Sequence, residues 1–189
     1  MANMEKTVQV NGGIGAAMRL GEGDRLTVLK MVFMGMMIAL GVVISPILRV
    51  AGFCPMQHFI NVIMAVTVGP WYGFFGAVAI GIIRMAVMGI SPMALTGAVI
   101  GAFLSGLLYR IFHKHIAAVI GEIIGTGILG SMLSFPVMKY LWGTEGLALF
   151  YYTPSFVTAT IIGGTFAWFF LKALQKTGQL QRIQQMLNS

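Results

Sequence analysis

Cysteine and charged residues are scarce in this sequence, and both shortages limit what kind of protein it is. Cys54 is the only cysteine, which excludes an intramolecular disulfide bond and any metal site built from several cysteines. Charged residues make up 9% of the chain, against about 25% in a typical soluble domain. A water-soluble fold is therefore not expected, and most of the chain is predicted to lie in lipid.

Motifs of enzymes and nucleotide-binding proteins are also missing. The chain has no G-x-x-x-x-G-K-[ST] phosphate loop, no G-x-S-x-G nucleophile elbow, no H-E-x-x-H zinc motif and no paired-carboxylate motif. The net charge of +7 comes from basic residues scattered singly beside apolar segments, so nucleic acid is not a predicted partner. We expect a protein that is not an enzyme, does not itself hydrolyse ATP and needs no metal or other cofactor.

Apolar residues are abundant, at 58% of the chain, and they are arranged in long runs. A membrane-spanning helix needs about 20 largely apolar residues, so the runs predict an all-α integral membrane protein with six transmembrane helices. The predicted segments cover residues 26–48, 57–68, 71–88, 93–109, 116–137 and 151–174. The second segment is short for a full span because Gly69-Pro70 ends it.

Basic residues predict the orientation, because loops rich in Lys and Arg face the cytosol. With a cytosolic N-terminus, the outer connections contain only Arg49 and Lys139. The inner side carries Lys6, Arg19, Arg25, Lys30, Arg110, Lys114, Lys172, Lys176 and Arg182. Both termini are therefore predicted to be cytosolic, with an N-terminal extension (1–24), a membrane domain (25–174) and a C-terminal tail (175–189).

Two charged residues lie inside predicted spanning segments. A charge at the centre of a spanning helix costs about 2.5–3.5 kcal/mol on insertion scales, so it usually faces a partner or a cavity. Arg84 lies near the outer end of the third segment, and Glu122 lies in the inner half of the fifth. They are candidates to bracket a polar ligand. The alternatives are a fixed ion pair, an Arg84 that snorkels outward, or a structural or partner-contacting Glu122.

Three polar residues stand together at the start of the second segment. Gln57 and Asn61 are four residues apart and share a helix face, and His58 nearly shares it. Their amide and imidazole groups suit a neutral or weakly basic heterocycle. The alternative is a helix cap with polar interface residues.

Aromatic residues gather at the predicted outer boundary. Trp142 and Tyr151 are candidates for a wall that stacks on an aromatic ligand, and Ser155, one turn inward, adds a hydroxyl. An aromatic belt at the membrane interface explains such residues without a ligand.

Small residues recur at four-residue spacing, as in Gly35/Ala39, Gly97/Gly101 and Gly121/Gly125. Such spacing allows helices to cross closely and often marks association surfaces. Internal packing is the default interpretation for most of these pairs.

The order of several short motifs resembles a known family. The motifs are PMQHFINVI at 55–63, VGPWY at 68–72, GIIR at 81–84, GLLYR at 106–110 and GEIIGTG at 121–127. With Gly97-Ala98 between them, they extend over roughly residues 26–172. In this order and spacing they resemble the substrate-binding S components of energy-coupling factor (ECF) transporters, and among them the ThiW type.

The resemblance implies a six-helix S component in a bacterial cell membrane that binds the thiamine precursor 4-methyl-5-(2-hydroxyethyl)thiazole from outside the cell. Such a protein would dock on a transmembrane coupling subunit that works with two cytosolic ATPase subunits. The family uses Ala-x-x-x-Ala on the first helix for docking, and this chain has Gly35 and Ala39 at that spacing. The candidate substrate-binding residues are Gln57, His58, Asn61, Arg84, Glu122, Trp142, Tyr151 and Ser155.

Two other functions stay open at the level of sequence. The first keeps the S-component class but changes the cargo to thiamine or to its pyrimidine precursor. Thiamine carries a positive charge and would favour an accessible carboxylate, for which Glu122 and Glu145 are the candidates. The second is a structural subunit or a small channel, although no segment carries the polar stripe that a channel requires.

Overall fold

The structure is a computed structural model that describes residues 26–46 and 54–188, and all regular secondary structure in these two ranges is helical. The helices are α1 Leu26–Pro46, α2 Pro55–Thr67, α3 Pro70–Met88, α4 Met93–Phe112, α5 His115–Leu141, α6 Thr153–Lys176 and α7 Gln179–Asn188. The predicted all-α class is therefore confirmed for the described residues. The predicted N-terminal extension and Arg49 lie outside them.

Within the described ranges, five helices are long and apolar enough to cross a membrane, where the sequence predicted six. They are α1, α3, α4, α5 and α6. The helix that falls short is α2, whose 13 residues extend about 20 Å at 1.5 Å per residue. The hydrocarbon core of a bilayer is about 30 Å thick. Pro55 in the first turn and Pro70 just beyond the end confine α2 to this length, since proline cannot continue a helix from within.

The short helix α2 lies at the centre of the bundle. Eleven of its 13 residues are buried, and it packs mainly against α4 and α6, with further contacts to α3 and α5. Because protein surrounds α2 on most sides, its polar residues meet other side chains instead of lipid.

Glycines let α4 and α5 approach closely. A β-carbon at Gly121 would lie 2.6 Å from the carbonyl oxygen of Leu104, and one at Gly125 would lie 2.6 Å from the Cα atom of Gly101. Real β-carbons do not approach other atoms this closely, so both positions require glycine in this packing. Internal packing therefore explains these small residues, as expected.

The middle of α5 departs from regular α-helix. Residues Ile123–Gly130 form a π-helical stretch that begins directly after Glu122 and contains Gly125, Gly127 and Gly130. A wider helical turn of this kind is uncommon and occurs often at functional sites. Thr126 belongs to this stretch, and its hydroxyl donates a hydrogen bond to Glu122.

The bundle has two ends, which we call upper and lower. At the upper end α2, α4 and α6 begin and α3 and α5 finish. The helix α1 runs from lower to upper, since Lys30 lies over the Tyr72 ring near the start of α3, and Ser45 reaches Gln57 at the start of α2.

The C-terminal segment, predicted as a polar tail, forms the amphipathic helix α7 at the lower end. Leu180 and Leu187 are buried in the hydrophobic core. Gln184 Nε2 donates to the Val66 carbonyl at 2.9 Å and to the Tyr109 hydroxyl at 3.0 Å. The helix α7 is therefore packed against the ends of α2 and α4.

Candidate functional site

A cavity of about 80 Å³ opens among the upper ends of α2, α3, α4 and α6. Its volume is several times the roughly 10–15 Å³ that a single water requires. It is lined by Cys54, Gln57, His58, Arg84, Ile90, Ser91, Met93, Ala94, Gly97, Ala98, Thr126, Ser155, Phe156 and Ala159. The wall thus combines apolar side chains with a few polar groups, which is typical of a site for a small organic molecule.

Arg84 supplies the positive charge of this wall although only 3% of its surface is exposed. One terminal nitrogen donates to Gln57 Oε1 at 3.0 Å, and the other donates to Cys54 Sγ at 3.4 Å. Its Nε is buried and has no hydrogen-bond partner among the described residues. An unpaired buried donor is costly, so this N–H is a candidate to bond a molecule in the cavity.

Gln57 connects Arg84 to the rest of α2. Its Oε1 accepts from Arg84 and lies 3.1 Å from Ser45 Oγ, while its Nε2 donates to Asn61 Oδ1 at 3.3 Å. Ser45 also donates to the carbonyl oxygen of Gly41. The spacing of four residues predicted that Gln57 and Asn61 share a helix face, and in the structure they bond to each other on that face.

Glu122 is fully buried and receives several donors on one oxygen. Its Oε1 lies 2.9 Å from His58 Nδ1 and accepts from Asn61 Nδ2 and Thr126 Oγ1, each at 3.0 Å. Asn61 Nδ2 also donates to the Ala98 carbonyl at 3.0 Å. The other carboxylate oxygen of Glu122, Oε2, has no partner among the described residues. The buried carboxylate therefore lies behind the cavity wall and supports His58 and Asn61.

Arg84 and Glu122, which the sequence offered as a possible pair, have different partners. Arg84 bonds to Gln57 and Glu122 bonds to His58. The two charges are connected through a chain of amide contacts on α2, from Gln57 to Asn61. They bracket the polar face of α2 and do not neutralise each other directly.

The structure brings together most of the residues that the sequence singled out. Gln57, His58, Arg84 and Ser155 line the cavity. Asn61 and Glu122 lie directly behind it, through their contacts with Gln57 and His58. Helix packing places them all at one point although they come from four different helices.

Trp142 and Tyr151 do not line the cavity, contrary to the expected aromatic wall. They are 54% and 62% exposed, and both belong to the surface connection between α5 and α6. The aromatic ring in the cavity wall belongs to Phe156, which sequence reasoning missed. A β-carbon at Gly97 would lie 2.7 Å from this ring, so the glycine in α4 makes room for it. Gly97 was a usable signal, but one sequence does not say which ring a small residue faces.

Gly35 and Ala39 lie on an exposed face of α1. Nothing lies within 4 Å of a β-carbon placed on Gly35. Met36 and Leu40 beside them are also about half exposed. This face has no packing partner among the described residues, in contrast with the buried glycines of α4 and α5.

No group of three or more histidine, cysteine, aspartate or glutamate residues within the described part of the chain is arranged to hold a metal ion. The residues that line the cavity offer hydrogen bonding and apolar contact around one guanidinium group.

Comparison with known proteins identifies one family. A protein-family model described as "Thiamine-precursor transporter protein (ThiW)" matches residues 31–177. No curated protein and no solved structure matches the chain. The matched region begins in α1 and ends just after α6, so it contains the whole cavity.

Proposed function

The chain belongs to the ThiW family of thiamine-precursor transporter proteins, and from this membership we propose that it is the substrate-binding S component of an ATP-driven ECF uptake transporter. It is a multi-pass membrane protein with a role in transport. We further propose that its substrate is hydroxyethylthiazole and that it resides in a bacterial cell membrane.

The observation that carries this proposal is the group of polar side chains around one small cavity in an otherwise apolar bundle. Buried polar and charged groups are costly within a membrane and usually mark a functional site. Arg84 and Gln57 supply polar groups at one part of the wall, and His58 and Ser155 supply them at others. Phe156 and Met93 provide apolar contact. A thiazole with a hydroxyethyl arm needs this combination of hydrogen bonds and apolar contact.

The size and charge of the cavity favour a single neutral ring over thiamine. Its volume of about 80 Å³ is far below the roughly 300–1,000 Å³ of pockets for drug-sized ligands. Thiamine contains two rings, and its thiazolium carries a positive charge that the Arg84 guanidinium would repel. Glu122, the carboxylate considered for a cationic cargo, is turned away toward His58 and Asn61.

The distribution of basic residues supports an external position for the cavity. Lys139 lies at the upper end, in the last turn of α5. The lower end carries Lys30, Arg110, Lys114, Lys172, Lys176 and Arg182. Under the positive-inside rule, the lower end would face the cytosol and the cavity would open to the outside. This orientation suits a receptor for uptake.

The proposed partners are a transmembrane coupling subunit and two cytosolic ATPase subunits. The chain itself has no phosphate loop, so the energy of ATP would come from those subunits. The exposed small residues Gly35 and Ala39 suit a close helix crossing with the coupling subunit.

The test is equilibrium binding of radiolabelled hydroxyethylthiazole to the purified protein in detergent. Unlabelled thiamine and the hydroxymethylpyrimidine precursor serve as competitors. We expect saturable binding that unlabelled hydroxyethylthiazole displaces, with little displacement by the other two. Displacement by the pyrimidine instead would reassign the cargo within the family. Absence of binding by monodisperse, folded protein would reject the thiazole.

A further inference from the structure

His58 contributes to the cavity while one of its ring nitrogens faces a buried carboxylate. His58 Nδ1 lies 2.9 Å from Glu122 Oε1, and the imidazole is part of the cavity wall. Since Nδ1 is taken by the carboxylate, Nε2 is the ring nitrogen available to a molecule in the cavity. The role of His58 therefore depends on which nitrogen carries the proton.

The other contacts of Glu122 indicate where that proton lies. Asn61 Nδ2 and Thr126 Oγ1 both donate to Oε1, the same oxygen that faces His58. A proton on Oε1 would be directed toward donors that already occupy it. The oxygen is therefore an acceptor, and the proton between His58 and Glu122 belongs to Nδ1. A neutral histidine protonated on Nδ1 carries a lone pair on Nε2.

Close packing limits the movement of both side chains. A β-carbon at Gly101 would clash with Thr126 Oγ1 and lie 2.8 Å from Glu122 Oε2. A β-carbon at Gly163 would lie 3.0 Å from His58 Cβ. The backbones of α4 and α6 thus approach the two side chains closely.

We propose that Glu122 is a positioning residue that holds a neutral His58 as a hydrogen-bond acceptor in the cavity, and that this acceptor selects ligands carrying a hydroxyl group. The inference rests on the proposed function and narrows the substrate class. The ligand O–H donates to His58 Nε2, and an acceptor on the ligand receives an N–H of Arg84. The matching class is a neutral heteroaromatic alcohol.

Arg84 and His58 bond to different groups of the ligand, because one supplies hydrogen-bond donors and the other an acceptor. Arg84 has only donors, and its Nε–H is unpaired among the described residues. His58, held by Glu122, offers the opposite group. A ligand with acceptors alone would satisfy Arg84 but leave the histidine lone pair unpaired.

The experiment compares two ligands that differ by one oxygen. One is hydroxyethylthiazole, and the other is the same thiazole with an ethyl group in place of the hydroxyethyl group. We expect the wild-type protein to prefer the hydroxyl ligand by roughly tenfold, as one buried hydrogen bond permits. The ratio of the two affinities is the readout, because a merely structural role would weaken both ligands equally.

Matched variants separate the role of each residue. In Glu122→Gln the amide oxygen still accepts from His58 Nδ1, so the preference is expected to remain within about threefold of wild type. Glu122→Leu removes the acceptor, and the preference is expected to fall toward one. His58→Asn retains a polar amide group near the position of Nδ1 but has no atom at the position of Nε2. This variant is therefore also expected to lose the preference for the hydroxyl ligand. A tenfold preference that persists in His58→Asn would overturn the inference.

A spectroscopic measurement tests the histidine without any ligand. The chain has three histidines, so ¹⁵N-histidine labelling gives few signals, and His58→Asn identifies the one from His58. At neutral pH we expect a protonated Nδ1 and an unprotonated Nε2, with a mixture of tautomers in Glu122→Leu. A proton on Nε2 in the wild type would overturn the inference while leaving the proposed function intact. Failure of the folded wild type to bind either thiazole would overturn both.

Discussion

The helices α1 and α2 follow each other in the chain but differ in burial, since α1 is mostly exposed and α2 is mostly buried. In the 21-residue helix α1, the most apolar 18-residue window has a mean hydropathy of 2.2, and only 11% of the residues in that window are buried. The 13-residue helix α2 is buried at eleven positions and carries Gln57, His58 and Asn61. A helix enclosed by others keeps polar groups away from lipid, so ligand-binding residues are tolerated there. A helix that faces outward is suited to contact with lipid or a partner.

The largest expected effect on ligand affinity follows from removing the positive charge of Arg84, which bonds to Gln57 on α2. Arg84→Met keeps an extended apolar stem but loses the hydrogen bonds to Gln57 and Cys54. The proposed hydrogen bond between the ligand and this charged group would contribute about 1.5–3 kcal/mol, so the affinity for hydroxyethylthiazole should fall about ten- to a hundredfold in equilibrium binding. Lys139→Met is the control, because Lys139 lies on the exposed surface near the same end. Wild-type affinity in Arg84→Met would remove the central residue of the site.

The second prediction compares glycine-to-alanine substitutions at two positions, one that packs against α2 and one on α1. Gly163→Ala places a β-carbon against the Pro55 carbonyl and 3.0 Å from His58 Cβ, both on α2. Overpacking of this kind costs about 1–3 kcal/mol, so the variant should unfold at a lower temperature. Gly35→Ala on α1 meets nothing within 4 Å and should be neutral or slightly stabilising, since alanine favours helix. Thermal unfolding in detergent measures both, and equal losses would contradict the contrast between α1 and α2.

The third prediction concerns the exposed face of α1. The double variant Gly35→Leu and Ala39→Leu adds bulk where the proposed coupling subunit crosses, so we expect uptake in cells to fall about tenfold or more. Thiazole binding by the purified variant should stay at the wild-type level, because neither Gly35 nor Ala39 lines the cavity. Val43→Met, also exposed on α1, controls for substitution at a lipid-facing position. Undiminished uptake by the double variant would argue against docking through this face.

The smallest effect is expected from the aromatic wall. Phe156→Ala removes the ring that lines the cavity, and aromatic contacts contribute about 0.5–1.5 kcal/mol beyond the area they bury. Affinity should therefore fall by a factor of about two to ten. Tyr151→Ala is the matched control, since Tyr151 is exposed and lies outside the lining. A greater loss in Tyr151→Ala than in Phe156→Ala would restore the wall that the sequence suggested.

Several parts of the site were accessible from sequence because they depend on local chemistry. Arg84 and Glu122 stood out since charges are rare in apolar segments. Gln57 and Asn61 share a helix face by their spacing alone. The shortness of α2 was also visible, because Gly69-Pro70 ends it wherever the helix lies in the bundle.

Other parts depend on contacts between distant segments. His58 and Glu122 are 64 residues apart, and their pairing follows from how α2 packs near α5. The same packing separates Arg84 from Glu122, although opposite charges inside a membrane suggest a direct pair. The aromatic wall was assigned to Trp142 and Tyr151 from their position near the boundary, but the rotation of α6 presents Phe156 instead.

Local pattern was thus sufficient for the helical class, the approximate extents of the helices and the residues that lipid would not tolerate. These features follow from short-range sterics and from the cost of placing polar groups in hydrocarbon, and both act on each segment separately. The partner of each polar group, the position of the cavity and the packing of α7 beneath it were decided by the tertiary structure. They depend on close contacts at glycines such as Gly101 and Gly163, where a β-carbon would overlap atoms of a neighbouring helix.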